Sequence, residues 1–177
     1  MTLFHFSSDP GIRRFEPRPV EIPSPRPPGR EWLNGPLVWA VDDWHQPMYF
    51  FPRDCPRILL WPLPQSTEED LARYFGERDC RMLAFIERAW AERLATAQVH
   101  RYALPAEAFE DLNDAGMWVS RKAVTPSGME TLRDLVAALA AANVELEIVE
   151  SLVPLRDVWQ TSLHASGLRL RNAAGWA

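Results

Sequence analysis

Three short segments carry side chains whose types and spacing could do chemistry. The first is His5-Phe6-Ser7-Ser8-Asp9-Pro10. A histidine among aromatic residues at a strand end can orient a ligand hydroxyl through one ring nitrogen while backbone holds the other. The same string also reads as a core histidine followed by a turn built on Ser7 and Asp9. The second segment runs from Tyr49 through Arg53, Asp54 and Cys55 to Arg57, with Pro52 and Pro56 stiffening it. A rigid Arg53 would present a planar fork of donors suited to phosphate or carboxylate, or it could tie the loop to backbone carbonyls. The third is Trp118-Val119-Ser120-Arg121, in which Trp118 offers aromatic surface to a flat ring and Ser120 and Arg121 offer polar contacts. Near the end of the sequence, Arg169, Arg171 and Asn172 could close a pocket or bind internal carboxylates.

Stronger signatures are missing. The chain contains no G-x-S-x-G, H-E-x-x-H, Walker A or G-x-G-x-x-G string. His5, His45, His100 and His164 lie far apart, and Cys55 and Cys80 form no C-x-x-C pair. No metal site is expected, and the two thiols read as reduced and structural. A net charge of −5 argues against broad nucleic-acid binding, which depends on neutralising phosphates. Lys122 is the only lysine among many arginines, which with abundant alanine and proline suggests a GC-rich bacterial genome. Met1 to Pro10 has no basic and apolar leader pattern, and no apolar run is long enough to span a membrane. A cytoplasmic protein is the expectation.

These segments need elements to hold them. A chain of 177 residues, 47% hydrophobic and 24% charged, suits one globular domain with its own core. Short apolar runs at Leu3–Phe6, Leu37–Val41, Arg57–Trp61, Arg81–Ile86, Val99–Leu104 and Met117–Ser120 predict strands. Val144, Leu146 and Ile148 alternate with Glu145 and Glu147, which predicts a strand with one dry face. Ser66 and Glu69 form a capping box before a helix that Gly76 ends. Ser127 and Glu130 form a second, before Leu132, Leu135, Val136 and Leu139 at helical spacing, with Asn143 as a left-handed cap. Pro154 suits the first turn of a last helix, and Leu168 to Arg171 alternates like an edge strand. Seven prolines between Glu16 and Pro36 predict an irregular loop. Strands and helices mix without regular βαβ alternation, so the expected fold is α+β: one domain with a mixed or antiparallel sheet and several flanking helices.

Taken together the segments resemble DUF6886, an uncharacterised bacterial family. The resemblance rests on Leu3-Phe4-His5-Phe6-Ser7, Val38-Trp39-Ala40-Val41-Asp42, Pro52-Arg53-Asp54-Cys55-Pro56-Arg57, Trp118-Val119-Ser120-Arg121 and Arg169-Leu170-Arg171-Asn172-Ala173. It implies a placement and no established activity. A first strand carrying H-x-[ST], then a strand with an aromatic turn, then a late strand, also looks like ADP-ribosyltransferase-type domains. That likeness implies NAD as cofactor, with His5 and Ser7 at its ribose and Tyr49 stacked on nicotinamide. It further implies a late glutamate, which the Trp118 to Arg121 strand does not carry.

The functional expectation is a nucleotide pocket for NAD or a related molecule. Its catalytic candidates are His5, Ser7 and Arg53, and its binding candidates are Tyr49, Trp118, Ser120 and Arg121. The alternative is a non-catalytic interaction protein, a homo-oligomer that buries part of the surface of its eight tryptophans. Neither a membrane nor a nucleic acid is expected as partner.

Overall fold

A computed structural model describes residues 1–177. Ten strands and three α-helices alternate irregularly along the chain. The strands are β1 (Thr2–Ser7), β2 (Val38–Val41), β3 (Arg57–Trp61), β4 (Met82–Glu87), β5 (Val99–Pro105), β6 (Glu110–Asp111), β7 (Met117–Ser120), β8 (Gly128–Leu132), β9 (Val144–Val149) and β10 (His164–Leu168). The helices are α1 (Glu68–Tyr74), α2 (Ala91–Thr96) and α3 (Leu135–Ala141). Short 3-10 turns fill several connections, including Gln46–Tyr49 and Val153–Gln160. The fold is α+β, with one sheet of six strands and one of four. The chain divides into two compact units, residues 1–46 with 99–131 and residues 47–98 with 132–177.

The six-stranded sheet has the order β6-β7-β2-β1-β5-β8. β1 lies inside it, antiparallel to both β2 and β5, with His5 opposite Tyr102 and Leu3 opposite Leu104. Alternation along β1 sends Leu3 and His5 to one face and Phe4 and Phe6 to the other. The Leu3 face carries a core of Phe15, Val38, Ala40, Tyr102, Leu104, Phe109 and Val124. The proline-rich stretch packs no helix of its own beyond a 3-10 turn at Glu31–Asn34. It is held instead by single bridges, Phe15 to Val124 and Arg18 to Leu37, as expected where prolines remove ladder donors. Tyr102 is 1% exposed; its hydroxyl donates to the Asp9 carbonyl (2.6 Å) and accepts from the Ile12 amide (3.1 Å). Tyr102→Phe should therefore cost about 1–2 kcal/mol, because two backbone groups lose their partner. Urea unfolding checks this, and an unchanged midpoint would mean that the hydroxyl contributes nothing.

The four-stranded sheet runs β10-β3-β4-β9. β3 pairs antiparallel with β10 and β4, while β4 and β9 run parallel. Every residue of β3 and β4 is buried, the pattern expected of inner strands covered on both faces. On β9, Val144 is buried but Ile148 is 40% exposed, so the dry face expected there is incomplete. Glu145 and Glu147 on the other face accept from Arg78, at 2.7 and 2.5 Å. Asn143, just before β9, has φ 56, the left-handed cap foreseen from its type.

Three local expectations change. The Ser127 and Glu130 pattern does not begin a helix. Ser127 donates its amide to the Ala103 carbonyl (2.9 Å), and residues 128–132 join the sheet beside β5 as β8. The helix starts later, where Asp134 accepts from the Ala137 amide (2.9 Å). At α1 the cap is Thr67, which accepts from the Asp70 amide (3.2 Å). Ser66 instead accepts from Leu63 and donates to the Ser162 carbonyl. Asp70 takes both the amide and the hydroxyl of Ser162, which hold its carboxyl below its ordinary range. The strand placed at Leu168 to Arg171 ends at Leu168, because Arg169 turns left-handed (φ 55) into a 3-10 turn.

Candidate functional site

In the first unit His5 occupies a central strand and is half-buried. Its Nδ1 lies 2.8 Å from the Trp39 carbonyl, and its ring rests on Phe15 at 4.7 Å. A carbonyl can only accept, so Nδ1 carries the hydrogen. In the neutral imidazole Nε2 is then the acceptor, and backbone holds the ring as foreseen. Trp39 supplies this carbonyl while its own Nε1 is buried without a hydrogen-bond partner.

The register continues the row across the sheet. Phe4 is opposite Val41, so the next pair is His5 with Ala40, and Ala40 is opposite Trp118. Residues directly opposite share a face, which puts His5 and Trp118 on the same side, two strands apart, with the small Ala40 between them. Ser120 follows on the same face. It is 0% exposed and spends its hydroxyl on Lys122, donating to the carbonyl (3.0 Å) and accepting from the amide (3.1 Å). Arg121 is exposed beside Glu110, its guanidinium 4.5 Å from the Trp32 ring. The Ser7 hydroxyl accepts from the Asp9 amide (3.1 Å), and Asp9 accepts from the Gly11 amide (2.8 Å), which makes a turn. An open hollow of about 420 Å³ in this unit lies over Gly11, Arg13, Tyr102 and Pro126 to Met129. None of the five candidates just described lines it.

Sequence reading missed a second constellation here. The Asp42 carboxylate, one residue past β2, accepts from the His45 amide (2.8 Å) and faces His45 Nδ1 at 2.8 and 3.0 Å. A carboxylate that fixes Nδ1–H orients Nε2 as a base, the arrangement used for general acid–base work. Beside it Gln46 donates to Asp43 (2.7 Å) and accepts from Arg101 (2.8 Å), and Arg101 also pairs with Glu130. The signal was present as D-x-x-H after a strand. Its significance depends on Gly116, far along the chain, whose carbonyl accepts from the Asp42 amide (2.9 Å).

Tyr49 and Arg53 belong to the second unit. Arg53 is exposed in a turn; the fixed guanidinium of that proline-flanked string is Arg57 instead. Arg57 is 3% exposed, donates Nε to the Met48 carbonyl (2.8 Å) and Nη1 to the Cys55 carbonyl (2.9 Å), and lies 5.1 Å from the Phe51 ring. Burial lowers its pKa to about 10, against the raising influence of Cys55 and Tyr49. Burial raises the Tyr49 hydroxyl, with Arg57 and Arg169 opposing, and keeps it a neutral donor. Burial likewise pushes the Cys55 thiol up to about 11, opposed by Arg57 and Arg93. A folded pKa above the unfolded value contributes stability below the unfolded pKa, and this is lost as pH climbs from about 9 through about 11. At pH 8 a thiol reagent should therefore label the less buried Cys80 first and leave Cys55 untouched in the folded protein. Mass spectrometry of the labelled chain checks this, and prompt double labelling would contradict it.

No three His, Cys, Asp or Glu side chains gather as a metal site would require. No helix is long and apolar enough to cross a membrane. No curated protein matches the chain, and no solved structure does either. A family model matches residues 4–173, from β1 through the turn after β10. The chain therefore belongs to DUF6886, a family of unknown function.

Proposed function

We propose that the protein binds a nucleotide of the NAD type in its first unit, with His5 Nε2 accepting a hydrogen bond from a ribose hydroxyl. The observation that carries this reading is the 2.8 Å contact between His5 Nδ1 and the Trp39 carbonyl. It holds the imidazole in one tautomer on an inner strand, and a pre-oriented acceptor costs little to order when a ligand arrives. Trp118, half-buried on the same face of the sheet and packed against its core, is the aromatic side chain in line with His5 that a base or nicotinamide ring would meet. The resemblance of the first strand to ADP-ribosyltransferase-type domains points to the same ligand class. The proposal is binding rather than transfer. β7 carries Trp118 and Ser120, and Arg121 follows it, where a transfer reaction needs a carboxylate to stabilise developing charge.

Calorimetric titration with NAD and with ADP-ribose tests it. Heat is expected with at least one of them, and His5→Ala should bind about tenfold more weakly, the worth of one lost hydrogen bond. Circular dichroism shows whether the variant keeps its fold. Absence of heat with both ligands at millimolar concentration would overturn the reading, as would equal affinity in a folded His5→Ala variant.

A further inference from the structure

We propose that the second unit holds an oxyanion, the phosphate or carboxylate group of a ligand, on the guanidinium groups of Arg57 and Arg169. A buried cation is ordinarily paired with an anion or saturated with hydrogen bonds. Arg57 has neither in full. Two of its nitrogens meet backbone carbonyls, but no carboxylate forms an ion pair with it. Its Nη2 makes no hydrogen bond. A strong donor is thus left at the edge of an apolar site formed with Phe51 and Tyr49.

The strand register brings a second arginine to this end of the sheet. Leu168, the last residue of β10, is opposite Arg57, and Arg169 follows immediately. Arg169 is half-buried, makes no hydrogen bond or ion pair through its side chain, and acts electrostatically on both Arg57 and Tyr49. Its backbone is left-handed, φ 55 and ψ 26, a conformation unfavourable for any residue that carries a Cβ. The turn is nonetheless fixed: the Asn172 amide donates to the Arg169 carbonyl (2.9 Å), and its side chain donates to the Asp54 carbonyl (2.7 Å). The buried carboxylate on the neighbouring strand does not neutralise the pair. Arg57 is opposite Ile86, so Glu87 points to the other face, where it accepts from the Leu152 and Ala174 amides. Two arginines at one end of the sheet with no carboxylate bonded to either, one of them in a strained backbone, make a site that an oxyanion would complete through charge-assisted forks.

The test needs no knowledge of the natural ligand, and it does not depend on the nucleotide reading of the first unit. Thermal unfolding is followed in chloride, pyrophosphate and citrate at matched ionic strength, on the wild type and on Arg169→Gly. Glycine removes the guanidinium and also relieves the left-handed residue, so this variant should unfold at an equal or higher temperature in chloride. Wild type should gain about 3 °C or more in 10 mM pyrophosphate or citrate, and Arg169→Gly should gain nothing. A gain with pyrophosphate alone assigns a phosphate ligand, and a gain with citrate alone assigns a carboxylate. An equal gain in the variant, or no gain with either anion in the wild type, would overturn the proposal. Either failure leaves the His5 titration unaffected.

Discussion

Gly116→Ala is expected to destabilise the protein by about 2–4 kcal/mol and to break the Asp42–His45 pair. Two independent costs add. Gly116 has φ +69, and a residue with a Cβ loses roughly 1–2 kcal/mol in that region. The new methyl would also sit 2.2 Å from His45 Nδ1 and 2.7 Å from both Cγ and Oδ1 of Asp42. Neither neighbour can simply swing aside. Asp42 is committed to the His45 amide and ring, and its own amide donates to the Gly116 carbonyl. Moving the imidazole instead abandons the short contact with the carboxylate. Urea unfolding gives the stability, and proton NMR of the His45 ring reports the pair. Gly116→Ala combined with His45→Ala removes the contact with the imidazole, while the backbone cost of roughly 1–2 kcal/mol and the 2.7 Å contacts with Asp42 persist. A single variant within 0.5 kcal/mol of wild type would mean the turn relaxes freely, contrary to the packing described.

Glu87→Ala is the second large effect, at about 3 kcal/mol. The carboxylate is 3% exposed and serves as acceptor for two backbone amides from distant segments, Leu152 at 3.3 Å and Ala174 at 3.1 and 3.2 Å. Alanine strands the amide of Leu152, itself a 0% exposed residue, and leaves a void at the end of β4. Glu87→Gln keeps one acceptor oxygen and should cost only about 1 kcal/mol. The two variants therefore separate the acceptor from the charge. Hydrogen exchange should show faster exchange at Leu152 and Ala174 in the alanine variant and near-native protection in the glutamine variant. Equal losses in both would show that the negative charge, rather than the bonding geometry, stabilises this corner.

Much of the architecture was legible because it is local. Apolar runs bounded by proline or acidic residues marked β1 to β3, further apolar runs marked β4 and β7, and alternation marked β5 and β9. Asn143 was readable as a left-handed cap because few residue types tolerate that conformation. Hydrophobic spacing also placed α3, though not its first turn. The capping pattern at Ser127 was overridden by a nonlocal partner: Ser127 and Thr131 bond to Ala103 and His100 of β5, which no local propensity can anticipate.

The functional residues divide along the same line. The backbone clamp on His5 followed from its position at a strand end among aromatics, and the fixed arginine of the proline-flanked string was expected as a type. Which arginine it is was not. Arg53 and Arg57 have the same chemistry four residues apart, and only the placement of β3 between β10 and β4 buries one and exposes the other. Likewise, D-x-x-H is a common string until Gly116 closes over it.

By itself, then, the sequence determined the α+β class, most strand positions and the family. Those depend on periodicity, residue shape and turn chemistry within a few positions of one another. Only the tertiary structure decided the strand order of the two sheets, the addition of β8, the Asp42–His45 pair and the unneutralised Arg57. Each of these depends on which distant segment occupies the neighbouring space, and the dielectric and steric surroundings that segment creates are not encoded in local spacing.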